Sequence, residues 1–300
     1  QMGINGNDVN NLAMNDVTVA NVGDENLEDG VQFVNLRGTV TVANSSFTGN
    51  YHRQFEVQNP NASSALNMAI TGSTFDRGTY VSTSAQGVLI AGNGTSAMTT
   101  SINGSTFRRN FGTALTAQGI GNSQMTFDVG TTTANTFTDN SLAFQFLTDN
   151  ASTMNATAQN NTITVSGTVT SGATPVTFRK GTNATGLFIG TFSGNTIGGG
   201  ALDTGNNCNG CNGVSVTNEG ASGQMRVTVS NNTIQHIRGR AVEYIGQLND
   251  TAGMVVTNNQ FLSPDPPVPA GPRSDPAIFM QSGTDDTDSS QLCADIRGNN

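Results

Sequence analysis

The amino-acid sequence predicts an all-β solenoid of about nine to ten stacked coils, each of roughly 30 residues. Three observations predict it. A short motif returns at a fixed register along the whole chain; residues ahead of it alternate apolar and polar; and the composition favours strands over helices. Gly accounts for 36 of 300 residues, Trp is absent and charged residues make up 11%. Thr, Val, Ile and Phe fit pleated surfaces, and a 35% hydrophobic share fills a narrow core but is thin for a wide one.

The template is Val227–Ile234, Val-Thr-Val-Ser-Asn-Asn-Thr-Ile. Aligned on its last apolar residue, the series runs Val17, Phe47, Phe75, Phe107, Phe137, Ile163, Ile197, Ile234 and Phe261, with steps from 26 (Phe137 to Ile163) to 37 (Ile197 to Ile234). Two positions before the anchor stand Asn15, Ser45, Ser73, Ser105, Asn135, Asn161, Asn195, Asn232 and Asn259. Five and seven positions before it are apolar pairs such as Val40 with Val42 and Met254 with Val256. A spacing of two puts both side chains on one face of a strand. After the anchor a second short strand recurs, as in Phe55 with Val57, Phe144 with Phe146 and Val242 with Tyr244.

One repeat is therefore strand, Asn corner, apolar anchor, loop, strand, loop. Alone it cannot bury its apolar face; stacked on its neighbours it can. Ten coils at the inter-strand spacing make a rod about 45 Å long. Asn suits the corner because it tolerates left-handed backbone and its amide can bond nearby backbone. Stacked in one column, Asn135, Asn161, Asn195, Asn232 and Asn259 are expected to form a hydrogen-bonded ladder. Length variation falls in two expected exposed loops, 198–213 and the Pro-rich 263–276. Leu292–Asn300 reads as a further copy ending short of its anchor, so residues 1–300 are expected to be one solenoid segment of a longer repeat protein.

The motifs "VTVSNNTI", "ITGSTF" and "FSGNTI" resemble the right-handed parallel β-helix repeats of large bacterial secreted or surface proteins, within the pectin-lyase-like group. The resemblance spans essentially residues 10–300. It implies a right-handed, three-sided coil at the cell surface or outside the cell. It does not fix an activity, because this coil carries lyases, hydrolases, tailspikes and adhesins alike.

Charge narrows the partners. Twelve Lys plus Arg against 21 Asp plus Glu leave a net charge of −9. Only Lys180 is a lysine. That argues against nucleic acid, whose phosphates need many cations, and no apolar run is long enough to insert in a membrane as a helix.

Glycosidases of this coil type need carboxylates from adjacent coils. The outward positions Thr41, Ala69, Ser101, Asp128, Thr157, Thr228 and Val255 are mostly uncharged, and Asp128 lies many coils from Asp295. No enzyme and no cofactor are therefore expected, with a polysaccharide lyase or glycoside hydrolase as the alternative. Asp285, Asp286 and Asp288 form the densest acidic run, followed by Asp24, Glu25, Glu28 and Asp29. Hard cations favour such oxygens, but the spacing matches no calcium loop, so solvated loop charges are the preferred reading. His52 and His236 have no third ligand in sight, and Arg108, Arg109, Arg238 and Arg240 read as surface residues paired with acids. Cys208 and Cys211 read as a loop-closing disulfide, with free thiols as the alternative, and Cys293 as a lone thiol, partly packed. An ice-binding Thr face is disfavoured because Ala69, Ser101 and Val255 interrupt the column of Thr41, Thr157 and Thr228. The expected function is a structural or adhesive rod that binds glycans or further copies of itself.

Overall fold

Each of the first nine coils lays one strand on each of three faces, the tenth lays strands on two, and like strands stack in parallel. The computed structural model describes residues 2–25, 27–60, 65–78, 86–164, 174–199, 211–237, 239–262, 276–284 and 288–300. The chain forms a right-handed parallel β-helix with two ten-stranded sheets and one nine-stranded sheet. We call them sheet A (Ile4–Asn7 through Ile278–Ser282), sheet B (Asn10–Asn15 through Gln291–Arg297) and sheet C (Thr18–Ala20 through Gln260–Leu262). No helix occurs among the described residues, and so none is long and apolar enough to cross a membrane.

The core is a set of axial columns. In sheet C, Phe47, Phe75, Phe107 and Phe137 stand in register and are followed by Ile163, Ile197 and Ile234. Successive rings stack at 5.2, 5.0 and 4.6 Å, tilted by no more than 19°. Sheet B contributes Val40, Met68 and Phe127, and sheet A contributes Phe55, Leu115 and Phe144; all are fully or almost fully buried. Large residues meet small ones across the interior. A side chain on Gly190 would start 2.9 Å from Phe178 Cδ1, so this strand leaves room for the ring.

The corner between sheets B and C divides its work between two residues. The first takes left-handed backbone: Asn44, Gly72, Gly104, Asn160, Gly194, Asn231 and Asn258 all have φ between +50° and +65°. The residue after it turns its side chain along the rod axis. The Asn-Asn pair of the template is thus one backbone corner followed by one side-chain link, so the left-handed role expected of the ladder column belongs to its predecessor. Gly and Asn alternate there because both tolerate that backbone.

The register needs one correction. Val17 was expected as the first anchor, but Val19 aligns with Phe47. Asp16 occupies the left-handed corner at φ 55°, and Val17 takes the position of the linking residue, its N–H donating to Ser45 Oγ at 3.1 Å. Asn15-Asp16-Val17 mimics the motif, but it lies two residues early.

Candidate functional site

Corner links run the length of the described rod. Backbone N–H groups of Ser45, Ser73 and Ser105 donate to the side-chain oxygens of Ser73, Ser105 and Asn135 at 3.2, 3.2 and 2.8 Å. Asn135, Asn161, Asn195, Asn232 and Asn259 continue the column, each N–H donating to the next Asn Oδ1 at 2.8–3.2 Å, the last to Asn299. Each amide nitrogen also reaches the next Oδ1. It reaches a carbonyl of the preceding coil as well, for example Asn161 Nδ2 to Val129 O at 3.0 Å. All five Asn side chains are buried, one in each of five successive coils, and each is bonded to the next in the column.

A group of titratable side chains lies elsewhere, on the outer face of sheet A in the second and third coils. Asp29 precedes the strand Val31–Val34, and Glu56 lies at an outward position of the next strand, Arg53–Asn59, opposite Gln32. Both carboxylates are nine-tenths or more buried. Gln32 Nε2 bridges them, 2.8 Å from Glu56 Oε2 and 3.4 Å from Asp29 Oδ2. His52 Nδ1 stands 2.9 Å from Asp29 Oδ1, which also accepts from Arg53 N–H at 3.0 Å. Arg53 and Gln58 both donate to Glu56 Oε1.

Their proton affinities diverge. Burial pushes Asp29 up, but hydrogen bonds with His52 and Glu56 and the positive charges of His52 and Arg53 outweigh it and hold Asp29 below its ordinary value. Burial pushes Glu56 up too, and its hydrogen bond to Asp29 adds to this; Gln32 and Arg53 only partly oppose it, so Glu56 lies above its ordinary value. The two carboxyls on adjacent coils therefore differ in proton affinity, Glu56 holding a proton more readily than Asp29. Carboxyls whose surroundings push their affinities apart are candidates for an acid–base pair. Here, though, the carboxylate oxygens are engaged by this chain's own donors, so a substrate would have to displace them. Sequence reasoning missed the pair because Asp29 sits in a loop ahead of its strand and Glu56 in a sheet whose outward column was not aligned.

A third carboxylate is clamped in sheet C, at the end of the coil that carries Glu56. Asp76 is fully buried and accepts from Arg108 Nε at 2.6 Å and from Arg109 Nε at 2.9 Å. Burial pushes Asp76 up, but Arg109, the Gly78 N–H and the Arg108 charge bring it below its ordinary value. Arg109 itself adopts left-handed backbone, φ 58°. Arg240 pairs with Glu243 and lies 3.6 Å over the Phe279 ring.

The remaining expected residues do not converge. The Asp288 carboxylate accepts from Leu248 N–H at 2.9 Å and Thr284 N–H at 2.7 Å, which fixes a turn; Asp285 and Asp286 lie outside the described residues, as do Arg238, most of the 198–213 loop and nearly all of 263–276. Among the described residues no group of three or more His, Cys, Asp or Glu is arranged to hold a metal ion. Cys211 is disulfide-bonded, and Cys208 lies outside the described residues. Cys293 is free and, contrary to the expectation of partial packing, exposed, because it falls on an outward position of sheet B opposite Gly253. No family model, no curated protein and no solved structure matches the chain.

Proposed function

We propose that this chain is a structural or adhesive β-helical rod of a bacterial cell-surface, fibre-forming or secreted protein, one that meets glycans or further copies of itself with its outer faces. We infer that its coils belong with the pectin-lyase-like group. The supporting observation is the outward column of sheet C. In register it reads Thr18, Ser46, Thr74, Thr106, Thr136, Thr162, Thr196, Thr233 and Gln260. One hydroxyl in water contributes little net binding. The same hydroxyl repeated at strand spacing gives a row of equivalent weak sites, whose affinities multiply for a repetitive ligand. A polysaccharide or another such rod is that kind of ligand. A disulfide at Cys211 fits an oxidising compartment.

The test is a glycan array together with the molar mass in solution, for the wild-type chain and for Thr106→Val with Thr136→Val. Valine keeps strand shape and removes two neighbouring hydroxyls. Binding or association that weakens in the variant supports the reading; if the wild-type chain neither binds nor associates, the reading falls. The Asp29–Glu56 pair favours a second reading, a carbohydrate-active enzyme. It requires that the chain release reducing ends from a polysaccharide and that Glu56→Gln abolish the release.

A further inference from the structure

The chain's one lysine is not on its surface. Lys180 ends the sheet A strand Val176–Lys180, in register with Asn218 in the next coil and through it with Gly246 in the coil after. Its side chain and that of Asp250 have no exposure at all, and its Nζ is in direct contact with Asp250 Oδ2. Asp250 lies in the turn after the strand Val242–Gly246. The contact therefore passes the Asn218 coil and joins residues 70 apart in sequence.

The pocket is close-packed around these two groups. A side chain on Gly220 would start 2.4 Å from Asp250 Oδ2 and 2.9 Å from Lys180 Nζ; one on Gly223 would start 3.0 Å from Nζ. Nζ also donates to the Ser222 carbonyl at 2.5 Å, in the exposed turn that closes the pocket. The Tyr244 phenol is buried in the same region. Its hydroxyl and the Asn218 amide nitrogen are both buried without a hydrogen-bond partner. Isolated charges are costly in such surroundings. Burial lowers the proton affinity of Lys180, and Asp250 only partly restores it.

We propose that Lys180 and Asp250 condense into an intramolecular isopeptide bond that staples three successive coils. A proton passes from the Nζ ammonium to Asp250 Oδ2, leaving a neutral amine beside a neutral carboxylic acid. The amine lone pair attacks Cγ. The tetrahedral adduct then breaks the Cγ–Oδ2 bond, and Oδ2 leaves as water with a second proton from nitrogen. The third proton stays on the amide. The reaction exchanges one ammonium and one carboxylate for one amide and one water, with no oxidant or co-reactant. Contact supplies the proximity that such a reaction otherwise lacks, and the Ser222 turn that closes the pocket is exposed to the solvent that receives the product water. The uncharged amide removes two buried charges.

The test is the mass of the full folded chain after reduction, followed by peptide mapping. The expected mass is one water below that of the sequence, with a cross-linked peptide pair joining Lys180 to Asp250. Lys180 should also resist an amine reagent in the denatured chain. Lys180→Arg, whose guanidinium keeps the charge but does not condense, should recover the lost water. A chain at full mass with a reactive Lys180 and no cross-linked pair overturns the proposal, as does a water loss mapped to any other residue. The primary reading uses the wild-type chain, so it stands whether or not the variant folds.

Discussion

Asn161→Ala removes one rung of the corner ladder. Asn161 Oδ1 accepts from Asn135 N–H at 3.2 Å and from Asn135 Nδ2 at 3.0 Å, and its Nδ2 donates to Val129 O and Asn195 Oδ1. Alanine leaves the Asn135 N–H and the Val129 carbonyl with no side-chain partner in a buried corner. At about 1–3 kcal/mol for each buried orphan, the two together cost about 2–6 kcal/mol. Asn161→Ser should lose about half as much. The rod itself uses serine at Ser45, Ser73 and Ser105, where the hydroxyl accepts the neighbouring N–H and donates to its own coil. Serine thus rescues the Asn135 N–H but not the distant carbonyl. Urea unfolding gives the global loss. Because coils of a solenoid can open separately, amide hydrogen exchange at Asn135 gives the local one. The expected order of protection is wild type, then Ser, then Ala. Equal losses for Ser and Ala, with Asn135 protected alike in both, would refute the ladder as the source of corner stability.

Two further predictions concern the core and the clamp. Phe107 sits between Phe75 and Phe137 at 5.0 and 4.6 Å, so Phe107→Ala should cost about 3–5 kcal/mol in urea unfolding, and Phe107→Ile less, since later coils carry isoleucine there. Asp76 is held below its ordinary value of 3.8, so its ionised form stabilises the fold. That contribution is complete above the unfolded value and is lost as pH falls through the folded one. Unfolding midpoints measured through this acid range should drop more steeply for wild type than for Asp76→Asn; parallel curves would remove Asp76 from the account.

Most of the fold was legible because the sequence repeats its structural residues in a fixed order. The Phe and Ile anchors, the alternating pairs such as Val227 with Val229, and the Ser or Asn column report burial and corner geometry, and these recur from the second coil onward. The first coil misled because Asp16 serves the left-handed corner as well as Asn does, which let Asn15 pass for a corner residue. The charged groups were not legible for a different reason. Asp29, Glu56, Asp76 and Lys180 each occur in a single coil, so no column marks them. Apart from Gln32 beside Asp29, Arg53 and Gln58 beside Glu56 and Gly78 beside Asp76, their partners lie 23 to 70 residues away, at positions that the period does not fix. Arg108 and Arg109 were visible as a pair, but nothing in the sequence tied them to Asp76.

These single-coil charges have a mechanical logic. In a stack where each coil touches only its neighbours, the weakest interface limits the whole rod. The widest steps between anchors are Ile163 to Ile197 and Ile197 to Ile234, and the extra chain falls between the anchor and the following sheet A strand. Longer connections raise the entropy of opening those coils. Arg179–Glu219 and Lys180–Asp250 begin on the strand that follows the first of these insertions, and they reach one and two coils onward, past the second. The surface pair is screened by solvent and contributes little. The buried pair is different: it crosses two interfaces at once, so neither can open without exposing an unpaired charge from the interior, or, if the two residues have condensed, without breaking a covalent bond. The one lysine of this chain thus ties together the coils where the repeat itself is least regular.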